Sequence, residues 1–474
     1  MHRLLAALLA LFLLATPAPA SPLAERVTAV LSQAPGVRWG MLAVDEDGRE
    51  VVSIAPDERF IPASNTKLFT TCAAFWALRD LDQPDAAGGA AVRLEGAGVP
   101  TVVLVGNGDA RLSSAPDCVL NCLAELADAV AARTRVVGDV VGDDSLFPDQ
   151  RWSPGMSWNN IPTRSGTAIS ALTLDDNEAV ITVTPTAPGR PPVVTSDDFT
   201  VDNRAITTAS GEPGLLVHRL PGDIRIRLSG TLPAAAGPQR LRLGVDDPAH
   251  RAASRLADLL RARGVRVTGG VAVRHRPPGP LDAASVRAAP VPRAPALLRL
   301  TPPPLRDDLL RINKASQNLG AELLLRRLGM IRGAGSVEQG LAIVDAMLGA
   351  AGAPSTGHDL HDGSGMSTYN RVTPRTTVTL LRWAAGQPWG PAFRDTLPVG
   401  GVDGTLANRF RGTALEGRVH AKTGSLHATH ALAGTLLTPA GRALTFAIYA
   451  NDVPPGTNAV AAMDRALLAL ADAQ

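Results

Sequence analysis

The chain has 474 residues, enough for roughly two to four domains and more than one hydrophobic core. A composition of 45% hydrophobic and 19% charged residues excludes a disordered chain, and a formal net charge of +2 excludes an electrostatic grip on a row of nucleic-acid phosphates. The 45 glycines and 38 prolines predict many turns and long connections.

Residues 1–20 read as an export signal. Arg3 supplies a positive start, Leu4 to Ala15 is an unbroken apolar run, and Ala18-Pro19-Ala20 is a small-x-small cleavage pattern before Ser21. The competing reading is an apolar first helix of the folded domain. The run is short for a bilayer, and no later stretch reaches about 18 apolar residues. An exported protein is therefore expected, periplasmic or extracellular, with at most peripheral membrane contact.

Val37 to Val44 and Arg49 to Ile54 read as a hairpin closed by Asp45-Glu46-Asp47-Gly48, whose Asp-Gly suits a tight turn. Ser64-Asn65-Thr66-Lys67 then leads into the apolar, helix-compatible run Leu68 to Leu78, which carries Cys72 as a buried small hydrophobe. Short β-like runs follow over Val92 to Leu104, then a helix over Cys118 to Ala132 and a strand over Val136 to Val141. Cys118 and Cys122, one helical turn apart, have a poor geometry for a disulfide and are expected to pack in a core.

From Ser170 to Val273 the pattern is mostly β, with runs at Ala179 to Val183, Leu215 to Val217 and Ile224 to Leu228. Asp247-Pro248 opens a helix over Ala249 to Arg263, stopped by Gly264 and followed by a strand over Val265 to Val273. The Pro-rich stretch Pro277 to Pro304 reads as an extended return path. Helices at Leu305 to Ile312, Ser316 to Leu328 and Ser336 to Leu348, a strand at Ala443 to Ala450 and a helix at Asn458 to Leu470 complete an α/β unit. There is no internal repeat.

Of the 46 basic residues only three are lysines: Lys67, Lys314 and Lys422. Arg keeps its proton near neutral pH, whereas a desolvated Lys can lose it, so a chain this poor in Lys draws attention to each one. If a helix opens at Ser64, three-residue spacing puts its Oγ and Lys67 Nζ on one face, where a neutral amine can activate a nucleophilic hydroxyl. Lys314 precedes Ser316-Gln317-Asn318. Lys422 opens Lys422-Thr423-Gly424-Ser425 just before a strand-like run; on an edge strand Lys can attract a carboxylate, Gly424 permits close backbone approach, and Ser425 N–H can stabilise an oxyanion. Singly these patterns are weak, and a solvated helix face or a turn explains each. Their joint occurrence in this order uses every Lys in the chain.

The three motifs together resemble those of penicillin-recognising serine enzymes, in particular the low-molecular-mass class C penicillin-binding proteins, a family of D-alanyl-D-alanine carboxypeptidases/endopeptidases. The likeness extends to Ile61-Pro62-Ala63-Ser64, Asn313 to Leu319 with Ala321-Glu322-Leu323-Leu324, Asp362-Gly363-Ser364-Gly365-Met366-Ser367 with Asn370-Arg371, and Gly401 to Leu406 leading through Gly417-Arg418-Val419 to Ala421-Lys422. Gly142 to Phe147 and Ser170-Ala171-Leu172 match further landmarks.

This resemblance implies a multidomain α/β protein. Its penicillin-binding-protein/β-lactamase-like catalytic domain, residues 21–80 and 301–474, would be split by a largely β insertion of two smaller domains at 81–300. The 252 residues between Ser64 and Ser316, against 106 between Ser316 and Lys422, independently suggest such an insertion. The resemblance further implies peptidoglycan stem peptides as substrate, β-lactams as covalent inhibitors and no cofactor. Ser64 and Lys67 would acylate, with an oxyanion hole of Ser64 and Ser425 N–H groups. Ser316 would relay a proton, Asn318 would hold a substrate amide, and Lys422 with Thr423 would hold the terminal carboxylate or steady Ser316. Lys314 either supports Ser316 electrostatically or packs its loop; Asp362, Ser364 and Asp403 either touch substrate or build turns.

His358-x-x-His361 and His427-x-x-His430 offer metal nitrogens without a matching Cys or carboxylate at diagnostic spacing. After Trp158 the sequence has Asn159-Asn160 where the family presents acidic residues, and the family's Tyr is missing from Thr163 to Ile169. That departure leaves the acyl transfer intact and unsettles recognition of a diaminopimelate side chain. The alternatives are a serine β-lactamase or esterase on the same scaffold, and a non-catalytic wall-binding protein.

Overall fold

The computed structural model describes residues 22–287 and 295–472. The expected export signal lies outside the described residues, as does part of the Pro-rich return path. Among the described residues no helix is long and apolar enough to cross a membrane.

The fold is multidomain α/β, organised around one five-stranded antiparallel sheet made from the two ends of the chain. Its strands are β1 (Arg38–Val44), β2 (Glu50–Ile54), β3 (Val419–Leu426), β4 (Thr429–Leu437) and β5 (Ala443–Asn451), in the spatial order β3-β4-β5-β1-β2. Alternating side chains of β5 explain why helices cover both faces. Leu444, Phe446, Ile448 and Ala450 pack with α1 (Pro22–Leu31) and the C-terminal helix Ala459–Asp472, while Ala447 and Tyr449 pack on the other side. That second side holds α2 (Thr66–Ala77), α3 (Leu305–Lys314), α4 (Asn318–Gly329), α5 (Val337–Ala350) and α6 (Pro374–Ala385).

Local chemistry sets several of these helix starts. Ser336 and Gln339 form a capping box at α5, and Thr373 accepts from Thr376 N–H at α6, where Pro374 fills the first turn. α2 needs no amphipathic stripe: nearly every residue is buried, from Thr66 to Phe75, as suits a helix threaded through a core.

Between the two parts lie two further cores. In one, the sheet Val271–Arg276, Val140–Pro148, Thr101–Val105, Ala91–Glu95, Leu298–Arg299 mixes parallel and antiparallel pairs and carries helices Leu123–Arg133 and Pro248–Ala262. In the other, strands around Arg225–Pro233 and Glu178–Thr184 pack through Ile181, Val183, Ile226, Leu228 and Leu243. The first is thus α/β rather than purely β.

The structure corrects several expectations. Cys118 and Cys122 form a disulfide, with Cα atoms 5.8 Å apart. The helix begins only at Leu123, and the chain turns before it through Asn121 at φ +61°, so the two cysteines are not on helical backbone. The Val265 to Val273 strand is interrupted: Arg266–Val267 pairs with Val136–Val137, and a second strand starts at Val271 after Gly269-Gly270. Part of the return path is strand Leu298–Arg299, on the edge of the inserted sheet. Ser316 precedes α4 instead of opening it.

Candidate active site

Ser64 lies in a 3₁₀ turn, Ala63–Asn65, that feeds directly into α2. Three-residue spacing across this junction brings Lys67 Nζ to 3.0 Å from Ser64 Oγ. Lys67 is fully buried and also meets Asn318 Oδ1 at 2.7 Å and the Ser364 carbonyl at 2.6 Å. Burial lowers its pKa to about 7, opposed by the negative charges of Asp362 and Glu322.

The three partners of Lys67 Nζ, Ser64 Oγ, Asn318 Oδ1 and the Ser364 carbonyl, can all accept from it. Asn318 Nδ2 donates to Ser165 O at 2.9 Å, so its Oδ1 faces Lys67 and can only accept, as can the Ser364 carbonyl. A neutral amine has two N–H groups and one lone pair. Both N–H groups are claimed by these acceptors, and Ser64 is the partner with a proton to give. When Lys67 is neutral its lone pair is left for the Ser64 hydroxyl, whereas protonated Lys67 donates to Ser64 Oγ as well.

A second lysine–serine pair stands alongside. Lys422, on edge strand β3 and fully buried, places Nζ 2.9 Å from Ser316 Oγ and 2.9 Å from the Thr423 carbonyl. Burial first, and the charge of Lys67 second, hold its pKa well below the ordinary lysine value. Ser316 adopts φ +56°, in the turn between α3 and α4. Thr423 Oγ1 donates to Thr405 Oγ1 at 2.7 Å. Ser425 Oγ and His430 Nδ1 are 3.0 Å apart, which assigns His430 a side-chain partner on the neighbouring strand.

Glycines set how closely the pieces approach. A Cβ on Gly424 would lie 2.6 Å from Pro62 O and 3.1 Å from Ser64 N, so β3 passes directly against the turn that carries Ser64. Gly365, at φ +88°, would put a Cβ 1.9 Å from Ala63 O.

Asp362 is wholly buried and builds the glycine-rich loop. Its carboxylate accepts from Gly365 N, Ser367 N and Asn370 Nδ2 at 2.8, 2.6 and 2.6 Å. Burial and the charge of Glu322 push its pKa up to about 6. Ser364 contributes its carbonyl to Lys67, while its Oγ contacts Asp362 at 3.5 Å. Lys314 pairs with Asp403 at 2.6 Å, which also accepts from Val399 N, so both serve the α3 terminus and its facing turn. His358 and His361 contact Asp345 and Asp359 separately, at 3.3 and 3.2 Å. Among the described residues no group of three or more His, Cys, Asp or Glu is arranged to hold a metal.

Arg326 and Ser165 escape motif reading, and Glu322, which enters only as part of the family-like helix, carries no role in it. Glu322 accepts from Gly363 N and Ser364 N at 3.1 and 2.9 Å, and buried Arg326 balances it at 3.0 Å. The sequence signal is a Glu-x-x-x-Arg pair on a mostly apolar helix. Ser165 comes from the inserted region and carries no motif. Glu322 and Ser165, with Met366, line a small recess beside Asn318. A cleft of about 780 Å³ lies elsewhere, lined by Trp158, Pro162, Val217, Leu220 and Arg225 and by none of the lysine–serine pairs.

The model of the D-Ala-D-Ala carboxypeptidase 3 (S13) family matches residues 23–470. A D-alanyl-D-alanine carboxypeptidase of Actinomadura sp. (strain R39) is 35% identical over 462 residues, covering 92% of this chain and 82% of that protein. The D-alanyl-D-alanine carboxypeptidase DacB of Haemophilus influenzae is 25% identical over 437 residues, covering 89% and 87%. The crystal structure of penicillin binding protein 4 (dacB) from Haemophilus influenzae superposes with a TM-score of 0.78 at 23% identity, over 93% of this chain and 98% of that one. A further structure of that protein, complexed with a β-lactam, gives a TM-score of 0.75 at 23% identity, over 94% and 99%.

Proposed function

The chain belongs to the D-Ala-D-Ala carboxypeptidase 3 (S13) family of serine-type peptidases, and on that premise we propose that Ser64 is its acylated nucleophile and Lys67 the base that activates it. The observation that carries this reading is the 3.0 Å contact between Ser64 Oγ and a fully buried Lys67 whose pKa is lowered to about 7.

In the first step neutral Lys67 takes the Ser64 hydroxyl proton as Oγ bonds to the carbonyl carbon between the two terminal D-alanines. The Ser64 and Ser425 N–H groups receive the developing oxyanion; the close pass of Gly424 against Ser64 N supports placing both at one carbonyl. The C–N bond then breaks, and the proton taken up by Lys67 passes through Ser316, which Lys422 holds, to the leaving amine. Water then attacks the acyl-enzyme, gives one proton to Lys67 and its hydroxyl to the carbonyl carbon; Lys67 returns that proton to Ser64 Oγ as the acyl bond breaks, and the shortened peptide departs. Asn318 turns its amide toward the substrate on exchanging its Ser165 contact, and Thr423 with Lys422 faces the terminal carboxylate.

We assign the substrate as peptidoglycan stem peptide, and β-lactams as agents that acylate the same serine. Residues 21–80 and 301–474 form the catalytic domain and 81–300 the insertion, a division supported by the central sheet drawing only on residues 38–54 and 419–451. Export is supported by the Cys118–Cys122 disulfide, a bond that persists in oxidising compartments. Intact mass after brief exposure to benzylpenicillin tests the reading. A one-to-one adduct on the wild type and none on Ser64→Ala is expected; an equal adduct on both overturns it.

A further inference from the structure

The turn carrying Ser316 is gripped on both flanks by a single carboxylate from the inserted region. Asp176 accepts from Arg311 Nη2 at 2.9 and 2.7 Å and from Gln317 Nε2 at 3.4 Å. Arg311 lies in the last turn of α3, and Gln317 is the cap of α4, where its Oε1 accepts from Gly320 N. Between them Ser316 sits at φ +56°, a conformation costly for a residue with a Cβ and kept only where the surroundings over-determine it.

Asp176 is itself held rigidly. Asp175, Asp176 and Asn177 have successive φ of +50°, +57° and +53°. The flanking side chains are anchored: Asp175 accepts from Ser114 N and Oγ at 2.8 and 2.6 Å, and buried Asn177 donates to Ala168 O at 3.0 Å. The carboxylate is thus delivered on a fixed turn. Ser165, from the same region, accepts from Asn318 Nδ2 one residue beyond Gln317.

We propose that Asp176 is a positioning residue for acyl transfer. By tying Arg311 to Gln317 it holds Ser316 against Lys422 and Asn318 against Lys67, so the insertion completes the acylating apparatus. This inference rests on the reading that Ser64 acylates with the help of those groups.

The test uses the mature protein with Asp176→Asn, Arg311→Gln and the double variant. Measured are kcat and KM on a D-alanyl-D-alanine peptide, the second-order rate of benzylpenicillin acylation, and the thermal midpoint. Each single variant is expected to lose roughly tenfold to a hundredfold in kcat and acylation rate, as misplaced catalytic groups do. KM should stay within about twofold and the thermal midpoint should hold, the pattern of a lost transition-state contribution. The double variant should be no slower than the slower single, because one contact is being removed twice. Unchanged kcat, additive losses, or a loss that only tracks a lowered midpoint would overturn the proposal. Should Asp176→Asn fail to fold, Arg311→Gln alone carries the same expectation. Absence of an adduct on the wild type would instead strike the underlying assignment of Ser64.

Discussion

Lys67 Nζ and Asn318 Oδ1 stand 2.7 Å apart although 251 residues separate them in the chain. The contact joins the helix that follows Ser64 to the Ser316-Gln317-Asn318 motif, and with the Ser364 carbonyl it would consume the N–H groups of a neutral Lys67. What remains is a lone pair aimed at Ser64. On the proposed reading of Lys67 as the base, this arrangement is the source of the first two predictions.

Lys67→Arg should abolish productive acylation while leaving a folded protein. Arg retains a positive charge but has no lone pair to accept a proton at neutral pH, and its fork does not fit a site shaped for three convergent contacts. Loss of a general base typically costs about 10²–10⁴-fold, so the second-order rate of benzylpenicillin acylation should drop by that range. A rate within a few-fold of wild type would show that charge alone suffices.

The acylation rate should have an acid limb centred near pH 7. Burial lowers the Lys67 pKa to about 7, and only the neutral form can take the Ser64 proton. Below that point protonated Lys67 dominates, and the rate constant for the free enzyme should fall about tenfold per pH unit. Above it the rate should level off. A profile flat from pH 5 to pH 8, with the protein still folded, would assign the proton to another group.

Arg326→Leu should destabilise the protein and also reach the active site. Arg326 is buried beside Glu322 at 3.0 Å and donates to Gln150 O at 2.7 Å. Removing one member of a buried ion pair leaves its partner uncompensated, typically a cost of about 3–5 kcal/mol. Urea unfolding monitored by circular dichroism measures this. Because Glu322 already raises the Lys67 pKa, a Glu322 no longer balanced should move the acid limb of acylation to higher pH.

The lysines and their motifs were legible because an Arg-rich composition left Lys only at Lys67, Lys314 and Lys422, and because Ser-x-x-Lys spacing has a direct geometric meaning at a helix start. Lys314 shows the limit of that logic: its partner Asp403 lies on a distant turn, and scarcity alone does not separate a loop-packing lysine from a proton acceptor. The hairpin β1–β2 was legible from Asp-Gly and alternation, whereas β4 lies in a small-residue run, Thr429–Leu437, whose strand character comes from pairing on both sides. Ser165 carried no signal, and Glu322 entered only within the family-like helix without a role, because their partners come from other elements and no local pattern encodes which loop a helix will meet. The disulfide was misread for a backbone reason: a left-handed Asn121 converts an apparent helical spacing into a turn.

Gly424→Ala should impair acylation far more than it impairs folding. The added Cβ would lie 2.6 Å from Pro62 O, 3.1 Å from Ser64 N and 3.1 Å from the Ala431 Cβ. The first two atoms belong to the turn that presents Ser64, and neither is the end of a flexible side chain. Something must shift: the start of β3 is held on its outer side by backbone bonds to Pro398 and Gly400, so the strain falls on the segment around Gly424, beyond those bonds. Overpacking of this kind costs about 1–3 kcal/mol. If retreat of β3 relieves the clash, it separates Ser64 N–H from Ser425 N–H, and loss of one oxyanion donor typically costs about 10²–10³-fold in rate. A thermal midpoint close to wild type with a benzylpenicillin acylation rate down by that factor is therefore expected. Retained acylation would mean that the two N–H groups need not be held at this separation, and would remove Ser425 from the proposed oxyanion hole.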